Sequence, residues 1–365
     1  MTVSPRRIVL IKPCCMGDVI FATPLLMALR RAYPHAAIDW AVSDGAMAAL
    51  RDHPDIAALI PTGKRANPAS RPDDLIRLTA ALRRGRYEMA VVPDRSRLMG
   101  IPPLLAGIPV RAGLDSAGRG FSYTIRAPVD PAEIRHEAEI YLDVARVLGL
   151  PTERLYTYAP PSEAARRAAE SVIGDQGLAG RPFVVIHPGG GVNAGMTMTE
   201  KRWPPARFAE IAERLTAAYG AAIVIVGAGT DRAAAAAVIE AAAVPVIDLV
   251  GRLNLAVTAA LAVRSLLYIG NDTGMGHLAC AAGARTMMIF GPSDPRRYAP
   301  YGPPERTAHV WRPVALPAAG VSAGAPRHFD WARDGVSVDE VWEAIRALLP
   351  PAANSPSPVG EGGRG

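Results

Sequence analysis

The sequence of 365 residues contains very little cysteine. Its three cysteines are Cys14, Cys15 and Cys280, and there is no Cys-x-x-Cys motif or histidine-rich pairing. Because Cys14 and Cys15 are adjacent, they have a poor geometry for pairing with each other. The sequence therefore predicts neither a disulfide scaffold nor a structural zinc site.

Lysine is also scarce, although basic residues are not. Of the 40 lysines and arginines, three are lysines (Lys12, Lys64 and Lys201), and two of these lie beside glycine-containing segments. The net charge of +6 is modest for this length and lacks the clustered basic stripe of a nucleic-acid-binding protein. A mild positive charge suits anionic small molecules or a negatively charged membrane surface.

Long apolar runs are absent as well. No stretch approaches the ~20 uninterrupted apolar residues that a membrane span requires. The apolar run that ends at Lys12 is too short to form the core of a signal peptide. A cytoplasmic location is therefore the expectation.

The chain does contain a repeated alternation of short apolar strands and helices, which predicts an α/β fold built from doubly wound parallel sheets. Thr23 and Pro24 indicate a helix start or bend, and Ser337 with Glu340 forms a capping box before the final helix. The predicted strands are 8–12, 38–42, 87–92, 183–187, 222–227, 246–250, 266–270 and 286–290. The predicted helices are 19–33, 75–84, 162–172, 205–219, 231–243, 255–264 and 274–282, with a last helix from 337.

The alternation weakens near residue 160 and then restarts, which indicates two domains of ordinary size. We expect a first Rossmann-like domain over 1–160, a linker over 161–181 and a second Rossmann-like domain over 182–349. The segment 350–365 has almost nothing to bury, so a disordered tail is expected there. Ligands of such sheets bind beyond the carboxyl ends of the strands, here in a cleft between the domains.

The first segment with chemical potential is Met16-Gly17-Asp18, which follows the first predicted strand. Glycine allows close approach of a ligand or a neighbouring backbone, and a carboxylate at the edge of a cleft can accept a proton. The alternative is that Asp18 only caps the helix that follows. The residue pattern alone leaves both interpretations open.

Two glycine-rich turns follow strands of the second half. After His187, three glycines including Gly190 expose N–H groups that can bind phosphate, and Thr197, Thr199 and Lys201 add donors. The spacing is not that of a P-loop, which disfavours an ATPase. The turn that ends in Asp231 begins like a dinucleotide-binding motif, but Arg232 occupies the third glycine position, so an NAD dehydrogenase is disfavoured.

A fourth segment, Asn271-Asp272-Thr273-Gly274, lies where a strand gives way to a helix. It brings a carboxylate, a hydroxyl and free N–H groups together, which makes an anion-binding site. His277 lies about one turn into this helix. A lone histidine in such a position is more often a packed structural residue than a catalytic one.

These segments, in this order and separation, resemble glycosyltransferase family 9, the heptosyltransferases of lipopolysaccharide core assembly. The resemblance covers roughly residues 7–349. The matching segments are Ile8-Val9-Leu10-Ile11-Lys12, Met16-Gly17-Asp18-Val19, Thr23-Pro24-Leu25, Glu200-Lys201-Arg202-Trp203-Pro204, Phe208-Ala209, Asn271-Asp272-Thr273-Gly274, His277-Leu278-Ala279, Gly283 and Phe290-Gly291-Pro292-Ser293-Asp294-Pro295.

The resemblance implies a GT-B fold, in which two Rossmann-like domains face each other across a cleft. It implies an inverting transferase that moves a sugar, heptose, from ADP-heptose to a hydroxyl of a lipopolysaccharide-core-like or other cell-envelope acceptor. The nucleotide sugar is then a co-substrate, and no cofactor or metal is expected. The sequence has no Asp-x-Asp pair of the kind that holds a divalent cation against a diphosphate. An anionic glycolipid or glycan acceptor implies peripheral contact with the cytoplasmic face of the inner membrane.

Carried over residue by residue, the resemblance makes Asp18 the general base and Lys201 a phosphate ligand. Asp231 matches a ribose contact more loosely, and Lys12, Met16 and Gly17 fall on the acceptor side. The residues expected to bind the donor are Gly190, Thr197, Thr199, Lys201, Asp272, Thr273, Gly274 and His277.

The chain departs from the family pattern at two places. Cys14 and Cys15 stand where the family usually has small hydroxyl residues, and the segment 189–199 is longer and richer in glycine. Two alternatives fit the same scaffold: an epimerase that acts on a nucleotide sugar alone, and a non-catalytic nucleotide-sugar-binding protein.

Overall fold

The computed structural model of the chain describes residues 4–63, 71–193, 196–314 and 329–349. The predicted disordered tail, 350–365, lies outside the described residues. Within the described ranges, no helix combines the length and the apolar character needed to cross a bilayer.

The first half of the chain forms a parallel six-stranded sheet in the order β3-β2-β1-β4-β5-β6. The central strand β1 is flanked by neighbours on both sides, which is why its residues from Ile8 onwards are buried. The strands are β1 (Arg7–Ile11), β2 (Ala37–Val42), β3 (Ala58–Pro61), β4 (Met89–Val92), β5 (Val110–Ser116) and β6 (Ile125–Val129). The helices are α1 (Met16–Phe21), α2 (Thr23–Ala32), α3 (Asp44–Met47), α4 (Pro72–Gly85), α5 (Ile101–Leu105) and α6 (Glu137–Val147).

The second half repeats the same topology, with a parallel sheet in the order β11-β10-β7-β12-β13-β14 and a separate two-stranded hairpin, β8-β9. The strands are β7 (Phe183–His187), β8 (Val192–Asn193), β9 (Met196–Thr197), β10 (Ala222–Ile225), β11 (Val246–Asp248), β12 (Leu267–Asn271), β13 (Thr286–Ile289) and β14 (Thr307–Val310). The helices are α7 (Glu163–Asp175), α8 (Pro205–Tyr219), α9 (Arg232–Ala241), α10 (Leu255–Arg264), α11 (Gly274–Ala282), α12 (Pro295–Tyr298) and α13 (Val338–Leu348).

The predicted α/β class with two doubly wound parallel sheets is confirmed. The strand 183–187 and the helices 205–219, 255–264 and 274–282 match their predicted bounds, and the capping box of Ser337 and Glu340 opens α13. The first predicted helix is bent, as Thr23 and Pro24 indicated, and it divides into α1 and α2. The N-cap of α2 is Ala22, however, because Thr23 already has helical geometry and donates back to the carbonyl of Ile20.

One expectation about the cysteines was wrong, and some elements were not predicted. Cys14 and Cys15 are joined in a disulfide between neighbouring residues, contrary to the expectation that they would not pair. The strands β3, β5, β6 and β14 and the helices α3, α5, α6 and α12 were not predicted. In β5 and β6, charged residues, glycine and proline interrupt the apolar pattern. The helix predicted over 162–172, inside the proposed linker 161–181, is present as α7, and it packs with the core of the second sheet. The proposed domain limits stay predictions.

The two halves are in direct contact. Ile20 of α1 belongs to the apolar cluster of the second sheet, and Tyr298 and Tyr301 pack against the core of the first. The buried carboxylate of Glu137, at the start of α6, accepts a hydrogen bond from Arg297 of α12 at 2.5 Å. Apolar burial and a buried ion pair therefore hold the halves together.

His136 joins the two halves through a hydrogen bond to Ala299, and it also caps α6 through a hydrogen bond that requires a neutral imidazole. Its Nδ1 accepts from the N–H of Ala138, which caps α6, and its Nε2 lies 2.9 Å from the carbonyl oxygen of Ala299. Burial lowers the pKa of His136 from 6.5 to about 4. The unfolded chain therefore binds more protons than the folded chain between these two pH values.

We expect the free energy of unfolding to fall as the pH drops from 6.5 towards 4, by about 3 kcal/mol from this residue alone. His136→Asn keeps an acceptor for the helix cap but does not titrate, so it should remove this part of the slope. Denaturant unfolding of both proteins between pH 4 and 8 measures the difference. The same pH dependence in both proteins would show that His136 is not responsible.

Candidate active site

A cavity of 860 Å³ lies between the two sheets, and residues from both halves line it. The first half contributes mainly α1 and the residue before it. The second half contributes the turns that follow β7, β10 and β12, together with the start of α10. The lining includes Cys15, Met16, Gly17, Asp18, Phe21, Ala48, His187, Gly190, Gly191, Lys201, Gly227, Ala228, Thr230, Asp231, Leu253, Asn254, Leu255, Thr258, Asp272, Thr273, Gly274, Met275, His277 and Tyr298.

Asp18 both caps α1 and lines the cavity, so the cap is confirmed and the role as a proton acceptor stays a prediction. The backbone N–H of Cys15 donates to Asp18 Oδ2 at 3.2 Å. The hydroxyl of Tyr141 donates to Oδ1 at 2.8 Å. Each carboxylate oxygen keeps a further lone pair that can accept a proton or a hydrogen bond from a molecule in the cavity.

Met16 and Gly17 lie where the two halves touch. A Cβ added to Gly17 would lie 3.1 Å from His277 Cδ2, and one added to Gly274 would overlap with the side chain of Met16. The missing side chains therefore allow α1 and α11 to approach each other closely. This contact brings Asp18 to the same cavity as the second half's turns.

Lys12 is buried behind the cavity wall and is not among the described residues that line it. Its Nζ lies 3.1 Å from Asp94 Oδ2 and 4.8 Å from the centroid of the Tyr141 ring. Burial alone would lower the pKa of Lys12, but the charges of Asp94 and Asp18 outweigh this and raise it. Lys12 is thus a charged residue within the wall, and its acceptor-side role stays a prediction.

Asp272 follows β12 and is the centre of a buried charge cluster. Its Oδ2 lies 2.6 Å from Lys201 Nζ, and its Oδ1 lies 3.3 Å from His277 Nε2. Burial alone would raise the pKa of Asp272, but Lys201 and His277 hold it well below its ordinary value. Lys201 uses one of its three N–H donors on this carboxylate and keeps the others for a ligand.

Thr273 caps α11, since its hydroxyl accepts from the N–H of Gly276 at 3.3 Å. The first turn of a helix has N–H groups without partners inside the helix, and its dipole favours negative charge. Thr273 and Gly274 both line the cavity. The start of α11 therefore presents an anion-binding surface beside Lys201.

Asp231 braces the glycine-rich turn after β7. Its Oδ1 accepts from the N–H of Gly190 at 3.1 Å, and its Oδ2 accepts from the N–H of Ala228 at 2.9 Å. Burial alone would raise the pKa of Asp231, but His187 and these two N–H groups lower it to about 2. The residue lines the cavity with a positioned carboxylate, and its contact with a ribose stays a prediction.

The three predicted donors on the glycine-rich segment have different surroundings. Gly190 lines the cavity with a φ of +98°, and a Cβ there would overlap with the methyl group of Thr273. Thr199 begins a short 3-10 turn that ends at Lys201, and it is exposed and outside the described lining. Thr197 lies in β9, for which only the backbone is described.

The cavity thus sets a carboxylate of one half opposite N–H groups and an ammonium of the other. The sequence model of glycosyltransferase family 9 (heptosyltransferase) matches residues 75–314, which is most of the chain. The chain belongs to glycosyltransferase family 9. It is therefore a glycosyltransferase, as the sequence motifs predicted.

Individual relatives agree with this assignment. The chain is 28% identical over 312 residues to lipopolysaccharide heptosyltransferase 1 of Pseudomonas aeruginosa, covering 81% of each chain. Its fold is similar to the crystal structure of a family 9 glycosyltransferase from Veillonella parvula (TM-score 0.77, 24% identity, 96% of this chain and 98% of the other). It is also similar to ADP-heptose lps heptosyltransferase II of E. coli (TM-score 0.73, 24% identity, 94% and 98%). The predicted GT-B fold is confirmed.

Sequence reasoning missed several residues of the family 9 cavity. Tyr298 lies on α12, and Leu253, Asn254 and Thr258 lie around the start of α10. No local motif surrounds them, so only the three-dimensional fold brings them to Asp18 and Asp231. Among the described residues there is no group of three or more histidines, cysteines or carboxylates placed to hold a metal ion.

Gly190→Ala should destabilise the transferase by about 1–3 kcal/mol, because alanine is strained at this positive φ and its methyl group has no room beside Thr273. Gly45→Ala is the matched control, since an added Cβ there meets nothing within 4 Å. Thermal unfolding compares the two variants with the parent. Equal melting temperatures for both variants would mean that the turn after β7 tolerates a side chain.

Proposed function

We propose that this transferase moves heptose from ADP-heptose to a hydroxyl of a lipopolysaccharide core acceptor, with inversion at the anomeric carbon and without a metal ion. The observation that carries the proposal is that Asp18 of the first half and the start of α11 line one cavity. The names of the relatives in P. aeruginosa and E. coli supply the sugar, the nucleotide and the acceptor class.

The donor diphosphate would bind at the start of α11, near Thr273 and Gly190. The described lining has three carboxylates, Asp18, Asp231 and Asp272, against one ammonium, Lys201, which at first sight disfavours an anion. Asp231 and Asp272, however, are already compensated by the N–H groups, histidines and lysine around them. The N–H groups of the helix start and the remaining donors of Lys201 are then available to the diphosphate.

The nucleoside would lie along the turn after β10 and the start of α10. Ala228, Thr230, Leu253, Leu255 and Thr258 give this end of the cavity both apolar and hydroxyl surface. A flat, weakly polar base suits such a lining. The predicted ribose contact at Asp231 lies between this end and the phosphate site, which supports the same orientation of the donor.

In the transfer step, the acceptor oxygen attacks the anomeric carbon on the face opposite the diphosphate. The new C–O bond forms as the bond to the diphosphate oxygen breaks, and the electron pair of that bond leaves with ADP. The proton of the acceptor hydroxyl passes to a carboxylate oxygen of Asp18, which lines the cavity. Metal independence is proposed because Lys201 and helix N–H groups can stabilise the departing charge, and the sequence has no Asp-x-Asp pair.

The acceptor would enter from the first half, past α1. A lipid-anchored acceptor would bring the enzyme to the cytoplasmic face of the inner membrane as a peripheral protein. The net charge of +6 is compatible with that surface, which is negatively charged.

Asp18→Asn should lower heptosyl transfer at least ~100-fold, because the amide cannot take the acceptor's proton. The affinity for ADP-heptose should stay within about twofold, since the donor site is formed by the other half. Transfer is followed by product formation with a truncated lipopolysaccharide acceptor, and affinity by calorimetry. Full transfer activity in Asp18→Asn would rule out this residue as the base.

ADP-heptose should raise the melting temperature of the protein more than GDP- or UDP-sugars, because a ligand that binds the folded state stabilises it.

Lys201→Met should weaken ADP-heptose binding about tenfold or more, since a charge-assisted hydrogen bond to phosphate is lost.

The melting temperature of ligand-free Lys201→Met serves as the control, because Asp272 loses one of its partners in this variant. A folded Lys201→Met protein with parental affinity for ADP-heptose would contradict a phosphate contact. A larger stabilisation by a UDP- or GDP-sugar would contradict the proposed nucleotide. Transfer that requires an added divalent cation would contradict metal independence.

A further inference from the structure

Tyr141 lies directly behind Asp18 and takes no part in the proposed transfer step. It is in the middle of α6, is 2% exposed and packs in the apolar core of the first half. Its ring is an ordinary core element, but its hydroxyl donates to Asp18 Oδ1 at 2.8 Å. Tyr141 is not among the described residues that line the cavity. It therefore contacts Asp18 without an evident contact to the donor.

The hydroxyl of Tyr141 can act only as a donor to Asp18. Burial raises the pKa of Tyr141 well above its ordinary value, and the charges of Asp18 and Glu137 raise it further, although Arg95 opposes them. The phenol therefore stays protonated throughout the working pH range. A permanently protonated donor stabilises the ionised form of the carboxylate that it contacts.

Lys12 and Asp94 keep the Tyr141 ring in place. Lys12 Nζ lies 4.8 Å from the ring centroid, a distance at which a cation is attracted to an aromatic face. The lysine is itself fixed by Asp94 Oδ2 at 3.1 Å, and Asp94 Oδ1 accepts from the N–H of Ser96 at 2.8 Å. Residues that follow β1 and β4 thus support a side chain of α6.

With Tyr141 on Oδ1 and the N–H of Cys15 on Oδ2, both oxygens of Asp18 have a donor. Two donors on opposite oxygens fix the rotation of the carboxylate plane. Each oxygen still has a lone pair for the acceptor hydroxyl. A general base needs this kind of fixed geometry, because a misplacement of about 1 Å can cost about 100-fold in rate.

We propose that Tyr141, held by Lys12, is a positioning residue that orients the Asp18 carboxylate for proton transfer from the acceptor. This inference rests on the proposed role of Asp18 as the base. It assigns to the buried Lys12, predicted from sequence on the acceptor side, a supporting role inside the wall.

Tyr141→Phe tests the inference, because it removes the hydroxyl and keeps the ring in the core. We expect kcat to fall about 10- to 100-fold while the Kd for ADP-heptose stays within about twofold. The acidic limb of the pH profile of kcat/KM should move to higher pH, because the carboxylate loses a donor to its charged form. A loss of activity caused only by disturbed packing would not move the acidic limb of the profile.

Tyr123→Phe is the matched control. Tyr123 is also buried in the first half, and its hydroxyl has no hydrogen-bond partner among the described residues. This variant should keep the parental kcat and pH profile. The melting temperatures of both variants confirm that each is folded during the assays.

A double variant separates failure of this inference from failure of the proposed function. If Asp18→Asn lowers transfer by about 100-fold but leaves a measurable rate, and Tyr141→Phe causes no further loss in that background, the two residues act through one another, as the inference requires. An inactive Asp18→Asn together with a Tyr141→Phe protein of parental kcat and pH profile would overturn the inference alone. A loss of kcat in Tyr141→Phe without a shift of the acidic limb of its pH profile would also overturn the inference alone. An active Asp18→Asn would overturn the proposed base, and the inference with it.

Discussion

The close packing of α1 against α11 determines the geometry of the whole site. Gly17 lies against the ring of His277, the ring centroid of Phe21 lies 4.5 Å from that of His277, and Ile20 is buried in the core of the second half. These contacts are possible because Gly17 near the start of α1 and Gly274 at the start of α11 have no side chains that would keep the two helices apart. Asp18 is on the same short helix, so the apolar contact also sets where its carboxylate lies.

The three carboxylates of the cavity differ in what they contact, and this difference gives them different chemistry. Asp231 accepts from two backbone N–H groups and braces a turn, and Asp272 is neutralised by Lys201 and His277. Asp18 accepts from one N–H and one phenol and has no cationic partner within salt-bridge distance among the described residues. The charge of Asp18 is therefore not neutralised by an ion pair, and both of its oxygens can still accept a hydrogen bond from a molecule in the cavity. The surroundings thus favour Asp18 as the base over the other two.

Much of the fold and many residues of the site could be predicted from the sequence. The contacts that were missed have a physical reason. Strands and helix starts form local patterns, so five of the six strands of the second sheet, and the helix start after Asp272 and Thr273, were predicted from the sequence. Tyr141 and Asp18 are 123 positions apart, and only the fold brings them together. The ion pair of the buried Lys12 is with Asp94, a residue that follows β4, and no local spacing reveals this partner. The pairing of Cys14 with Cys15 contradicted a general rule about neighbouring cysteines.

The central claim is that the carboxylate of Asp18 faces a sugar diphosphate held at the start of α11. A crystal structure of the protein with an unreactive ADP-heptose analogue tests it most directly. We expect the phosphates to contact Thr273, Gly274 and Lys201. The anomeric carbon should face Asp18, with room for one hydroxyl group between that carbon and the carboxylate. A complex whose diphosphate lies away from α11, or whose anomeric carbon is shielded from Asp18, would contradict it.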